Sequence, residues 1–175
     1  MMTDTKSELL EAVLRAHAQS ALRGNVSHRA LQLAAAGSHS YVQAICAALM
    51  TLGGTHAPLL QTYDLLADPA PDAAAEILLL EGRRVPGWGN AFVKDAPDPI
   101  WTPVEELFPP DMRLKIERVT LTLHARGKAI YPNPSCFTAA VGLIMDFPRE
   151  VTPYLFICGR LGAWTNEYAR VRELP

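Results

Sequence analysis

The fold is decided by the stretch His39-Ser40-Tyr41-Val42-Gln43-Ala44-Ile45-Cys46-Ala47-Ala48-Leu49-Met50-Thr51-Leu52, followed at once by Gly53-Gly54-Thr55-His56. Alanine, leucine and other apolar side chains surround much of the helix that residues 39–52 would form, the pattern of a helix covered on most sides by protein. It reads as a core or dimer helix. The glycine pair breaks it and lets the chain turn sharply, so that His56 is held at the helix end. A histidine there is either a hydrogen-bonded structural residue or a group presented at a cleft.

Working outward, Leu9, Leu10, Val13, Leu14, Ala21 and Leu22 make an apolar stripe over residues 6–23, with Gly24 placed to stop a packing helix. A helix is expected over residues 58–67, and Asp68-Pro69-Ala70-Pro71 then forms a stiff connection that reads as a domain boundary. Residues 71–81 carry proline and Asp72 in a first helical turn and end at Gly82. Residues 85–110 read mostly as loop. They hold Trp88 and Trp101 and are long for a plain connection, which points to a binding loop. Between Pro110 and Gly127 the start and stop signals predict a helix, although Val119, Leu121 and Leu123 alternate as in a strand. Residues 137–147 fit a helix or a buried strand equally well. Two further helices are expected, over 151–155 and from 156 to 172. The expected class is all-α, in two lobes divided near residues 68–71 and 148.

Composition narrows the function. The chain has 175 residues, 49% hydrophobic and 19% charged, enough for a sizeable core and apolar enough to favour an oligomer. Sixteen basic against 18 acidic side chains give a formal charge of -2, so no global field draws in nucleic acid or an anionic membrane. Cys46, Cys136 and Cys158 form no Cys-x-x-Cys pair, and no apolar run suits a signal peptide or a membrane span; a cytoplasmic protein is expected. His17 and His28 lack ligand-spaced partners and read as surface or interface residues, with no metal site expected.

Four motifs carry the chemistry: Leu52-Gly53-Gly54-Thr55-His56, Val85-Pro86-Gly87-Trp88-Gly89-Asn90, Lys128-Ala129-Ile130-Tyr131-Pro132-Asn133, and Gly159-Arg160-Leu161-Gly162-Ala163-Trp164. Their order and separations resemble the citrate synthase and citryl-CoA lyase family over about residues 38–168. The resemblance implies a short form of that all-α fold. Residues 1–24 would be an N-terminal helix, 25–67 and 148–175 a reduced large, dimerising portion, and 68–147 a small lobe that binds coenzyme A. It also implies roles. His56 would donate a hydrogen bond to a thioester carbonyl, and Val85, Pro86, Gly87, Trp88 and Gly89 would cradle adenine. Lys128 would meet a phosphate, Asn133 the pantetheine amides, and Arg160 an organic acid.

At the reacting centre the chain departs from the family. Asn90 stands where a histidine polarises the keto acid, Ile100 where an arginine after Asp98-Pro99 clamps a carboxylate, and Ser135 where an aspartate removes the α-proton. Serine is a poor base for a carbon acid, and losing a general base costs roughly 10²- to 10⁴-fold. Cys136 beside Ser135 suggests a rival, a thiol nucleophile assisted by His56 in a thioester hydrolase. The expectation is a homo-oligomer that binds coenzyme A or an acyl-CoA, with a small organic acid and no metal. It is either a divergent carbon–carbon bond-forming or -cleaving enzyme or an inactive regulatory or structural paralogue.

Overall fold

A computed structural model describes residues 4–53 and 56–174. Gly54 and Thr55, the middle of the first motif, lie outside the described residues. Nine helices form among the rest: α1 (Asp4–Ser20), α2 (Val26–Ala36), α3 (Tyr41–Leu49), α4 (Leu59–Ala67), α5 (Pro71–Leu80), α6 (Thr102–Glu106), α7 (Pro110–Ala125), α8 (Pro134–Ile144) and α9 (Thr152–Val171). The all-α expectation holds. Local chemistry sets the starts: Ser40 and Gln43 close a capping box on α3, Asn25 and Asn133 cap α2 and α8, and prolines occupy the first turns of α5 to α9.

Several elements differ from the sequence reading, each for a packing reason. Helix α2 has no counterpart in it, because exposed Leu33 interrupts the stripe that Leu31 and Ala35 bury. In α7 the strand-like alternation is incidental: Val119 and Leu123, one turn apart, are buried, whereas Leu121 between them faces out. Helix α8 is buried continuously from Ser135 to Gly142, so no period marked it as a helix. The two expected C-terminal helices are one, α9. Helix α3 is covered on one face only: Ala44, Ile45 and Ala48 are buried, but Val42 is 66% and Met50 88% exposed.

Two hydrophobic cores result. The first joins α1, α4, α5, α7 and α8 through residues including Val13, Leu66, Trp101, Ile116 and Phe137; the second joins α2, α3 and α9 through Leu31, Ala44, Phe156 and Trp164. Helix α9 contributes to both, Leu155 to the first and Phe156 and Trp164 to the second, and its close approach to α1 needs Gly159, where a Cβ would lie 2.5 Å from the Cβ of His17. This overturns the surface reading of His17, which is fully buried; His28, 7% exposed, is buried as well. No helix among the described residues is long and apolar enough to cross a membrane.

Candidate active site

A cavity of about 1060 Å³ opens between the two cores. His56, Asn90, Ser135, Arg160, Val85, Trp88, Gly89, Lys128 and Asn133 all line it, although they come from four separate segments of the chain. Pro86 and Gly87 do not. Gly87 has φ of 88°, and a Cβ there would strike the Thr62 side chain at 2.4 Å, so this glycine lets the loop pack on α4.

His56 is fixed by a tight pair of backbone bonds: its N–H donates to the Gly53 carbonyl at 3.0 Å, and its carbonyl accepts from Gly53 at 2.8 Å. Its buried Nε2 has no protein partner. Burial first, and the charge of Arg160 second, lower its pKa, so the ring is neutral at pH 7 and can still donate one hydrogen bond.

Arg160 sits on α9, 3% exposed, with its guanidinium carbon 3.9 Å from the centroid of the Phe156 ring. Nε and Nη1 are buried without a partner. Burial, then repulsion from Arg23, drags its pKa to about 9, which leaves it charged at neutral pH. A buried, unpaired cation is costly unless an anion meets it.

Behind this pair lies His17, whose ring contacts Trp101 and Phe156 at 4.8 and 4.9 Å between centroids. The Thr138 hydroxyl donates to the Pro134 carbonyl at 2.6 Å, so His17 Nε2–H must be the donor in its 2.7 Å contact with Thr138 Oγ1. Nδ1 is left as an unpartnered acceptor. Burial and Arg160 hold the His17 pKa well below the usual histidine value. Its sequence context contained no sign of this placement.

The outer end is built from two loops held together. Gly89 N–H donates to Tyr131 O, Asn133 N–H donates to Gly87 O, both at 2.9 Å, and Trp88 pairs with Pro132 in an isolated bridge. The Trp88 indole donates to Thr120 Oγ1 at 2.9 Å, which pins this loop to α7. Asn133 is committed within the protein: Oδ1 accepts from Ser135 N–H at 2.8 Å and Nδ2 donates to Gly89 O at 2.9 Å. Lys128, Arg84 and Lys94 line the cavity as exposed cations.

Ser135 reaches the cavity at the first turn of α8, 4% exposed. Among the described lining residues Asp95, which is exposed, is the only acid, so no buried carboxylate faces the cavity as a base. The Cys136 thiol is sealed in the core, and burial, reinforced by Glu105, pushes its pKa well up. A thiol in that state is a weak nucleophile, which removes the basis for the hydrolase rival. No group of three or more metal-ligating side chains gathers among the described residues.

The chain matches the citrate synthase C-terminal domain family over residues 1–173. Solved structures share its fold. Citryl-CoA lyase from Hydrogenobacter thermophilus superposes with a TM-score of 0.82 at 21% identity, over 99% of this chain and 72% of that one. Citrate synthase from Thermotoga maritima gives 0.80 at 20% identity, over 99% and 50%. Methanosaeta concilii ATP citrate lyase, in complex with (3S)-citryl-CoA, gives 0.81 at 15% identity, over 98% and 32%. The chain thus spans half or less of the latter two. No curated protein sequence gives a significant match.

Proposed function

Because this chain belongs to the citrate synthase family, we propose that its cavity binds coenzyme A or an acyl-CoA thioester together with a small carboxylic acid. The observation that carries this reading is the convergence of His56 and Arg160 on one cavity with buried polar atoms that no protein group satisfies. Adenine would lie against Val85, Trp88 and Gly89, with Lys128 near a phosphate. The thioester carbonyl would face His56, and the acid would meet Arg160. Within this reading, residues 68–147 form the coenzyme A lobe, and residues 25–67 with 148–175 the larger portion.

The chemistry that follows is limited by the bases at hand. Neutral His56 can stabilise charge that develops on a thioester oxygen, and Asn90 can donate to a carbonyl without carrying a proton. Ser135 cannot take the α-proton of a thioester, and Asp95, the one acid among the described lining residues, is exposed. Citrate formation from acetyl-CoA and oxaloacetate at an ordinary enzymatic rate is therefore not expected. This absence favours a second reading, a coenzyme A-binding regulatory subunit without turnover. A homodimer through the open face of α3 fits either reading, since Val42 and Met50 present apolar surface there.

Calorimetric titration with acetyl-CoA and desulfo-CoA tests the ligand. Binding of both, with a raised melting temperature, is the expected result; absence of binding and of any thermal shift would sink the assignment. A coupled thiol-release assay with oxaloacetate, run beside deuterium exchange of acetyl-CoA, separates an enzyme from a sensor. Rapid oxaloacetate-dependent thiol release would refute the account of Ser135.

A further inference from the structure

Asp98 is 2% exposed and receives four hydrogen bonds. Arg23 donates from Nη1 to Oδ2 at 2.6 Å and from Nη2 to Oδ1 at 3.2 Å. Asn90 Nδ2 donates to Oδ2 at 3.0 Å, and Ile100 N–H to Oδ1 at 3.1 Å. Four donors fill the acceptor capacity of a carboxylate, and the forked arginine contact fixes direction as well as distance. Asp98 therefore ties together Arg23, in the turn after α1, and Asn90, in the adenine loop, both of which line the cavity. Asn90 is held at its other end too, where Oδ1 accepts from Phe92 N–H at 2.9 Å. One of its two Nδ2 protons remains for a ligand.

The charges at this inner end are two guanidinium groups, Arg23 and Arg160, close enough for one to depress the pKa of the other. One carboxylate, Asp98, accompanies them, so the net charge is a single positive one, and it resides on Arg160. The other cations lining the cavity, Arg29, Arg84, Lys94 and Lys128, are all exposed. A second carboxylate brought to the inner end would meet an arginine already neutralised by Asp98, with the charge of that buried carboxylate behind it. Like charges so placed are strongly unfavourable.

We propose that Asp98, through Arg23 and Asn90, is the specificity-determining residue of this cavity, selecting a 2-oxo or 2-hydroxy acid with one carboxylate over a dicarboxylate. The single carboxylate pairs with Arg160, and the free Asn90 proton meets the oxygen on the adjacent carbon. This rests on the reading of the cavity's inner end as an acid site, and not on coenzyme A at its outer end.

The test uses pyruvate and oxaloacetate, 2-oxo acids that differ by one carboxylate, titrated calorimetrically alone and again with saturating desulfo-CoA. Wild-type protein is expected to prefer pyruvate about tenfold, and Asp98→Asn to lose or reverse that preference. Arg23→Met, which leaves Asp98 unneutralised, is expected to weaken pyruvate by about tenfold, with melting curves showing that each variant is folded. Equal or tighter oxaloacetate binding by wild-type protein overturns the proposal, as does an unchanged preference in folded Asp98→Asn. Binding of desulfo-CoA with neither acid also overturns it while leaving the coenzyme A reading intact. Failure of desulfo-CoA alone, with pyruvate still preferred, overturns that reading and leaves this one standing.

Discussion

The two ends of the cavity solve opposite electrostatic problems. At the outer end Lys128, Arg84 and Lys94 are exposed, so water already satisfies them, and they can meet a polyanion without strain in its absence. At the inner end Arg160 is buried on the Phe156 ring, with two neutral imidazoles near it, and four of the nitrogens of Arg160, His56 and His17 have no partner. The unliganded protein bears that cost. The difference teaches that, on the proposed reading, exposed cations would add affinity and salt dependence, whereas the buried one would make the cavity select an anion.

The largest effect should come from removing the buried charge. Arg160→Met is expected to abolish carboxylate binding, by at least about a hundredfold, and to stabilise the empty protein by about 1–4 kcal/mol. Calorimetry and denaturant unfolding measure the two halves. A less stable variant would mean that Arg160 has a satisfied structural role, and the contrast between the ends would collapse.

Acidification tests the imidazoles next. The folded-state pKa values of His17 and His56 are lowered, so below about pH 6.5 the unfolded chain binds protons that the folded chain resists, and stability falls as pH drops. Glu167 behaves separately: Arg170, together with His28 and Gln32, holds its pKa down to about 2, so its contribution is present above the usual carboxylate range and is lost only further down. Between roughly pH 6.5 and 4.5 the loss of stability therefore belongs to histidine, because Glu105, whose carboxyl burial holds above its ordinary range, works in the opposite direction there. His17→Gln, which can keep a bond to Thr138, should flatten it. An unaltered melting-temperature profile over that interval would exclude His17 as the source.

The smallest effect belongs to the outer end. Lys128→Ala should change stability by less than about 0.5 kcal/mol. It should weaken coenzyme A several-fold and reduce the salt dependence of its binding. Equal affinity at low and high salt in both proteins would remove Lys128 from the ligand.

Much of the fold was legible because capping residues and apolar period report directly on local structure. Pro71, Pro110 and Gly127 all mark ends close to those observed. Helix α8 was not legible, since a helix buried all round shows no period, and α2 was hidden by the exposed Leu33. In the candidate site, His56, Asn90, Ser135, Lys128 and Arg160 were picked out by motif, and the fold brings them to one cavity. Arg23, Asp98 and His17 acquire their places through partners 75, 8 and 121 positions away, separations that leave no local pattern.

By itself, then, the sequence determined the helical class, the helix ends that proline and glycine mark, and the residue types available for chemistry, because these depend on neighbours within a few positions. Tertiary structure alone decided their electrical state. Whether Arg160 is solvated or stranded, whether Cys136 is reactive or sealed, and whether Asp98 is free or saturated follow from burial and from long-range partners. Desolvation and hydrogen bonding set the energy of a charge, and both are properties of the packed fold.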